Sequence, residues 1–211
     1  MSEQFFDYIN EHSEGEPLYL QRIARRAHVR LLNGRMVSGA LQGRLLKMLA
    51  ELLQPKNVLE IGTFVGYSAL CIAEGAPQNA VIDTIEIDDE LEDIILENFS
   101  TVDFGKKIVL HIGDALQIIE TLDNKQFDLI FIDADKRDYL KYYQTVLPAV
   151  RSGGVILVDN TLWNGKVFEP PQSADSQTKA IIEFNDFLAA DTRVEKIILP
   201  VRDGLTIIRK K

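Results

Sequence analysis

VLEIGTFVGYSAL, residues 58–70, is an apolar strand that runs into a glycine-bearing turn and then a helix. Strand, glycine turn and helix in this order begin a βαβ unit. The spacing is E-x-G-x-x-x-G, carried by Glu60, Gly62 and Gly66. It departs from the dinucleotide spacing G-x-G-x-x-G, because Phe64 stands where a second glycine would let the backbone approach a pyrophosphate. That departure disfavours an NAD or FAD enzyme.

Downstream, short apolar runs alternate with helical periodicity. The pattern predicts strands over residues 57–61, 80–87, 107–112, 127–132 and 154–158, each followed by a helical stretch. The runs LIFI and VILV suit parallel strands buried on both faces. Residues 160–173, with Pro170 and Pro171, read as a long loop, and a helix is expected over about residues 176–189. VEKIILP and GLTIIRK then read as two strands joined by a tight turn at Arg202-Asp203-Gly204, a connection short enough to require an antiparallel pair. The expected fold class is α/β. It is a Rossmann-like, doubly wound sheet of about seven mostly parallel strands with a C-terminal antiparallel hairpin, plus N-terminal helices.

Upstream, Pro17 suits the first turn of a helix through Leu18, Ile23, Ala27 and Leu31, stopped at Asn33-Gly34. Ser38 is the expected N-cap of a second helix through Leu41, Leu45, Leu49 and Leu52, ended before Pro55. The 211 residues, 46% hydrophobic, make one domain: residues 1–35 a helical extension, residues 36–211 the core. One cysteine, Cys71, gives neither an internal disulfide nor a zinc cluster. The N-terminal MSEQFFDYIN carries acids where a signal peptide is basic, and no run is long enough to span a membrane, so a soluble cytoplasmic protein is expected. A net charge of −9 and a pI near 4.9 repel nucleic acid on average. Arg22, Arg25, Arg26, Arg30 and Arg35 form the one basic cluster, which a solvated helix face or a dimer contact explains most simply.

Without pyrophosphate chemistry, the glycine turn still suits S-adenosylmethionine, which has no phosphate. Glu60 would meet its cationic end. Glu86 closes the second strand twenty residues after Gly66, where an acid accepts ribose hydroxyls. Asp114 and Ala115 follow the third strand, beside an adenine edge. The plainer reading of each such turn is ordinary α/β packing; three successive strand ends together favour the ligand.

The fourth strand ends FIDADK with Asp133, and the fifth ends LVDNTLWNG with Asp159 and Asn160. Carboxyl ends of parallel strands open into the ligand crevice, and neighbouring strands lie about 5 Å apart. Two carboxylates and an amide oxygen would then converge. A hard divalent cation, Mg²⁺ or else Ca²⁺ or Mn²⁺, resolves their repulsion. The plainer reading, that each Asp caps a strand end or helix, suffices for one Asp but not for the set. Lys136 would project into the same crevice, with a pKa drawn down toward that of a usable base; its plainer reading is a surface lysine, like Arg137 beside it. Trp163 offers an aromatic wall over a planar substrate or else ordinary packing, and residues 160–171 are long enough for a lid.

These residues resemble the cation-dependent O-methyltransferases of the caffeoyl-CoA and catechol type, whose sheet is that of the class I S-adenosylmethionine-dependent methyltransferases. The resemblance runs from about Met36 to the C-terminus, through residues 36–43 and the motifs LEIGTFVGYS, GDA, IDADK, DNTLWNG and LPVRDGLTI. It implies a cofactor site of Met36, Ser38, Glu60, Gly62, Thr63, Ser68, Glu86, Asp114, Ala115, Asp133 and Asp135. It implies metal ligation by Asp133, Asp159 and Asn160, catalysis by Lys136 with Asp133, and substrate contacts from Lys136, Asn160, Trp163 and Asn164. It also implies a homodimer. Ser38 stands where the family often has threonine, and Glu86 where it often has aspartate. Residues 1–35 show no alignment with the substrate-gripping segment of the plant enzymes. The expected reaction is methyl transfer to a metal-bound hydroxyl of a catechol-like or other vicinal-diol small molecule, with Lys136 taking the proton. Two rivals are methylation of a hydroxylated tRNA uridine through the arginine cluster, and a non-catalytic nucleotide- or metal-binding module.

Overall fold

Asn57–Ile61 (β1) and Phe127–Ile132 (β4) are strands with the bounds the sequence predicts. They are neighbouring interior strands of the parallel region, and their alternate residues bury on opposite faces. Val58, Leu129 and Phe131 enter one apolar cluster, and Leu59, Ile61, Ile130 and Ile132 enter another. Full burial of each such side chain contributes about 1.5–3 kcal/mol, which holds a strand with no exposed face.

The computed structural model describes residues 3–122, 125–169 and 175–211. The remaining strands are β2 (Val81–Glu86), β3 (Ile108–Ile112), β5 (Val150–Val158), β6 (Val194–Leu199) and β7 (Leu205–Lys210). They form one seven-stranded sheet in the order β3-β2-β1-β4-β5-β7-β6. β1 to β5 are mutually parallel, and β7 runs antiparallel to both β5 and β6. The helices are α1 (Glu3–Glu11), α2 (Leu18–Arg30), α3 (Ala40–Leu53), α4 (Tyr67–Gly75), α5 (Glu92–Ser100), α6 (Ala115–Thr121), α7 (Tyr139–Val146) and α8 (Ser176–Ala190). Leu20 and Ile23 of α2, Leu46 of α3, Leu70 of α4 and Ile95 of α5 pack on one face of the sheet. Ile119 of α6, Tyr143 of α7 and Phe184 of α8 pack on the other. The α/β, doubly wound sheet with its C-terminal antiparallel hairpin is thus as expected.

Four local expectations are corrected. Ser38 does not cap α3; Gly39, at φ +78°, holds that position without a side-chain cap. Ser38 is turned inward, and its carbonyl accepts from Arg202 of the β6–β7 turn. The buried stripe of α3 is also rotated from the leucine stripe: Gln42, Gly43, Arg44, Leu46 and Ala50 are buried, while Leu52 is 75% exposed. Gln42 and Arg44 bury because each finds a polar partner, Asp159 and Glu74 respectively, which hydrophobic periodicity does not register. β5 begins at Val150 rather than at residue 154, with a register shift where it pairs with Phe127 and Leu129; Gly153 at φ +75° lies within the irregularity. The loop after β5 contains a 3₁₀ segment, Trp163–Phe168, broken by left-handed Asn164 and Gly165. Pro170, Pro171 and Ser173 lie outside the described residues. Among the described residues no helix is long and apolar enough to cross a membrane.

Candidate active site

The ladder continues one residue past the parallel strands. Gly62 N donates to Ile85 O at 3.0 Å, Asp133 N to Ile61 O at 2.9 Å, and Asp159 N to Ile132 O at 3.0 Å. Glu86, Gly62, Asp133 and Asp159 therefore stand in one row at the ends of β2, β1, β4 and β5, each about 4.8 Å from the next. Gly62 has φ +97°, and a Cβ there would lie 2.2 Å from the Asp133 carbonyl oxygen. Only glycine lets the turn and the end of β4 approach so closely.

Glu60 is fully buried. Its Oε2 accepts from the Thr84 hydroxyl, which is 2.5 Å from the Thr63 hydroxyl. Its Oε1 has no partner. Burial pushes the carboxyl up to about 8; the Ser68 and Thr84 hydroxyls oppose this, and the charges of Asp133 and Glu86 add to it. An orphaned buried carboxylate oxygen is what a cationic ligand would satisfy, so these residues fit the aminoacyl end of S-adenosylmethionine.

Glu86 is caged. Oε2 accepts from Phe64 N at 2.7 Å, and Oε1 from Ile87 N at 2.9 Å and Asp88 N at 3.0 Å. A carboxylate has roughly four acceptor positions, so about one remains, on Oε2. Phe64, whose side chain breaks the dinucleotide spacing, supplies this contact from a left-handed backbone at φ +50°. Asp114 caps α6 by accepting from Gln117 N, next to buried Ala115. Asp135 caps the turn Lys136–Asp138 and pairs with Arg137, which holds its carboxyl below the usual range. Thr63 and Ser68 are buried, and Met36 is exposed at the end of a 3₁₀ turn.

Lys136 is buried, unlike Arg137. Its Nζ donates to Asp133 Oδ1 at 2.7 Å and lies 5.1 Å from the centroid of the Tyr139 ring. Asp159 is 2% exposed. Oδ2 accepts from Gln42 Nε2 at 2.7 Å and Oδ1 from Asn160 N at 2.8 Å, while Tyr139 donates to its backbone oxygen at 3.0 Å. Burial, and then the charge of Asp133, push the Asp159 carboxyl up to about 6. The two acids do crowd one another. Among the described residues no group of three His, Cys, Asp or Glu side chains converges on a metal position. The Asn160 amide, next to Asp159, would complete with the two acids an all-oxygen set of the kind that fits a hard cation.

Asn160, Trp163, Asn164 and Gly165 all have positive φ. So concentrated a departure from ordinary backbone is held by neighbours: Thr161 N donates to Gly204 O and Leu162 N to Asp203 O of the β6–β7 turn. Trp163 is half-buried with its indole N–H unpartnered, and Lys166 Nζ lies 5.9 Å from its ring centroid; Asn164 is exposed. On α2, Arg26 pairs with Glu97 of α5, and Arg22, Arg25 and Arg30, with Arg35 beyond the helix, are exposed.

Thr84, Gln42 and Tyr139 escaped the sequence reading. Thr84 carried a signal, a lone hydroxyl two residues before Glu86 in a buried strand. Gln42 and Tyr139 carried none, because their partner lies on a distant segment.

The strand order and the acid-bearing row at its carboxyl edge define a Rossmann-like methyltransferase domain. The chain belongs to the O-methyltransferase family, whose sequence profile matches residues 10–211. It is 37% identical to a caffeoyl-CoA O-methyltransferase of Eucalyptus gunnii over an alignment of 222 residues, covering 99% of this chain and 88% of that one. An SAH-bound methyltransferase of Podospora anserina, PaMTH1, superposes with a TM-score of 0.90 at 32% identity, covering 100% of this chain and 97% of that one. The SAM-bound O-methyltransferase TomG of Streptomyces achromogenes, involved in tomaymycin synthesis, gives 0.89 at 30% identity with full coverage of both chains. The resemblance thus reaches well before Met36, where the sequence reading began it.

Proposed function

We propose that this single-domain enzyme transfers the methyl group of S-adenosylmethionine to one hydroxyl of a catechol-like or other vicinal-diol small molecule. In this reading Asp133, Asp159 and Asn160 hold a divalent cation, Mg²⁺ or else Ca²⁺ or Mn²⁺. The observation that carries it is the row of strand ends, in which Gly62 places the turn after Glu60 one strand from the acid pair Asp133 and Asp159. SAH- and SAM-bound neighbours support the cofactor. The crowding of buried Asp159 by the charge of Asp133 supports the cation.

The residues then divide the work. Glu60 and Glu86 anchor the two ends of the cofactor, with Ser38, Thr63, Ser68, Ala115 and Asp135 around it. A bound cation supplies Lewis acidity to a substrate hydroxyl. Lys136 in its neutral form takes the hydroxyl proton, the oxygen forms its bond to the methyl carbon, and the carbon–sulfur bond breaks to leave S-adenosylhomocysteine. Trp163 and Asn164 face the acceptor from the loop after β5. Positioning of the two reactants contributes most of the rate. A homodimer in the cytoplasm completes the reading, on the resemblance and on the free, buried Cys71.

The test is methyl transfer from labelled S-adenosylmethionine over a catechol panel and total tRNA, with Mg²⁺ and with excess EDTA. Transfer to a catechol that EDTA abolishes is expected. Full activity in EDTA would remove the cation; transfer to tRNA alone would replace the substrate class; binding without turnover would leave only a binding module.

A further inference from the structure

Glu60 of β1 and Thr84 of β2 are register partners, and neither has any exposed surface. Thr84 Oγ1 donates to Glu60 Oε2, and Thr63 Oγ1 lies 2.5 Å from Thr84 Oγ1. An ionised carboxylate only accepts. When Glu60 is ionised, as an ammonium ligand requires, the Thr84 proton is committed to Glu60 and the Thr63 hydroxyl donates to Thr84. The protons are ordered along one line from Thr63 to Thr84 to Glu60. What remains at its end is Glu60 Oε1, buried and without a partner.

We propose that Thr84 is a positioning residue for cofactor recognition: backed by Thr63, it lowers the cost of ionising Glu60 and holds it turned so that the free Oε1 receives the ammonium of the ligand's amino-acid end. The proposal rests on the reading of Glu60 as the cofactor's carboxylate. A buried acid without donors takes up a proton. The titratable groups that face Glu60 are Asp133 at the end of β4, Glu86 at the end of β2 and Cys71 on α4, all of them acids. The Ser68 and Thr84 hydroxyls therefore supply the stabilisation of its charge. A protonated Glu60 presents a donor to an ammonium that is itself only a donor, and recognition fails. Thr84, with no exposed surface, reaches the ligand only through Glu60. Valine has nearly its shape and suits a buried strand, so the hydroxyl can be removed with little disturbance to packing.

The experiment is calorimetric titration of S-adenosylhomocysteine into wild type, Thr84→Val, Thr84→Ser, Thr63→Val and Glu60→Gln between pH 6 and 8.5, below the range in which the ligand amine loses its charge. Thr84→Val should weaken binding about tenfold near pH 7, the usual worth of a hydrogen bond to a charged group. The deficit should shrink as pH rises, because the midpoint that governs affinity has moved up. Thr84→Ser should restore the wild-type profile. Thr63→Val should shift the midpoint in the same direction by less, which covers the case in which Thr84→Val folds poorly. Thr84→Val and Thr63→Val with wild-type affinity and an unmoved midpoint overturn the proposal while leaving Glu60 in place. Wild-type affinity in Glu60→Gln overturns the reading beneath it.

Discussion

Gln42 on α3 donates its side-chain amide to Asp159 at the end of β5, at 2.7 Å and 117 residues away in sequence. The orientation of a candidate metal ligand is thus set by a helix that packs on the sheet from the N-terminal part of the chain. Replacing Gln42 with leucine keeps the volume and removes the donor. Loss of such an outer partner typically weakens metal affinity about 10- to 100-fold. Titration of Mn²⁺ followed by calorimetry should show that loss in Gln42→Leu with cofactor affinity unchanged. Equal Mn²⁺ affinity in the variant and wild type would assign Gln42 to packing alone.

Lys136 is buried against Asp133 and Tyr139, which places its amine beside the acid the proposed reading gives to the cation. Lys136→Met should lower kcat by about 100-fold or more near neutral pH, the usual contribution of general acid–base catalysis, and should leave S-adenosylhomocysteine affinity intact. A kcat equal to that of wild type ends the base assignment.

Gly62→Ala tests the row of strand ends itself. The added carbon would meet the Asp133 carbonyl at 2.2 Å from a left-handed backbone. The conformation alone costs about 1–2 kcal/mol, and at about 2–4 °C per kcal/mol for a domain of this size the melting temperature should fall by at least about 2 °C. Differential scanning calorimetry measures it. A melting temperature equal to that of wild type would mean the turn has room to move.

The cofactor-free protein should lose stability as pH rises. The Asp159 carboxyl is pushed up to about 6 and the Glu60 carboxyl up to about 8 by burial. Both folded-state values lie above the unfolded ones, so between them the folded chain binds more protons. Their contribution is full below about pH 4 and lost as pH rises through 6 and then 8, each tenfold difference in proton affinity being worth about 1.4 kcal/mol. Thermal melts from pH 5 to 9 should slope downward, and Glu60→Gln should flatten the upper part of that slope. Parallel slopes in the two proteins would contradict this.

The sheet was readable because its signals are local. Apolar runs such as LIFI carry their own strand, and Glu60, Asp133 and Asp159 announce themselves by ending one. What escaped depends on contacts between distant segments. Ser38 has the chemistry of a cap, yet Arg202 holds its carbonyl and Gly39 takes the cap position. The apolar run places the start of β5 at residue 154, yet the strand begins at Val150, with Gly153 absorbed as an irregularity. Gln42 reads as the polar side of α3, and its burial is explained only by a carboxylate brought to it by folding.

The row of strand ends acts as a ruler. The spacing between neighbouring strands is a property of backbone hydrogen bonds, about 4.8 Å whatever the side chains. With glycine kept at 62, the separation between that turn and the acids at Asp133 and Asp159 is therefore set by the main chain rather than by the side chains of the acids. On the proposed reading, variation can reshape the acceptor side, at Trp163 and Asn164, but not the depth at which the reaction takes place. New acceptors would be reached by refitting the doorway of this enzyme, while the distance over which a methyl group travels stays written in the main chain.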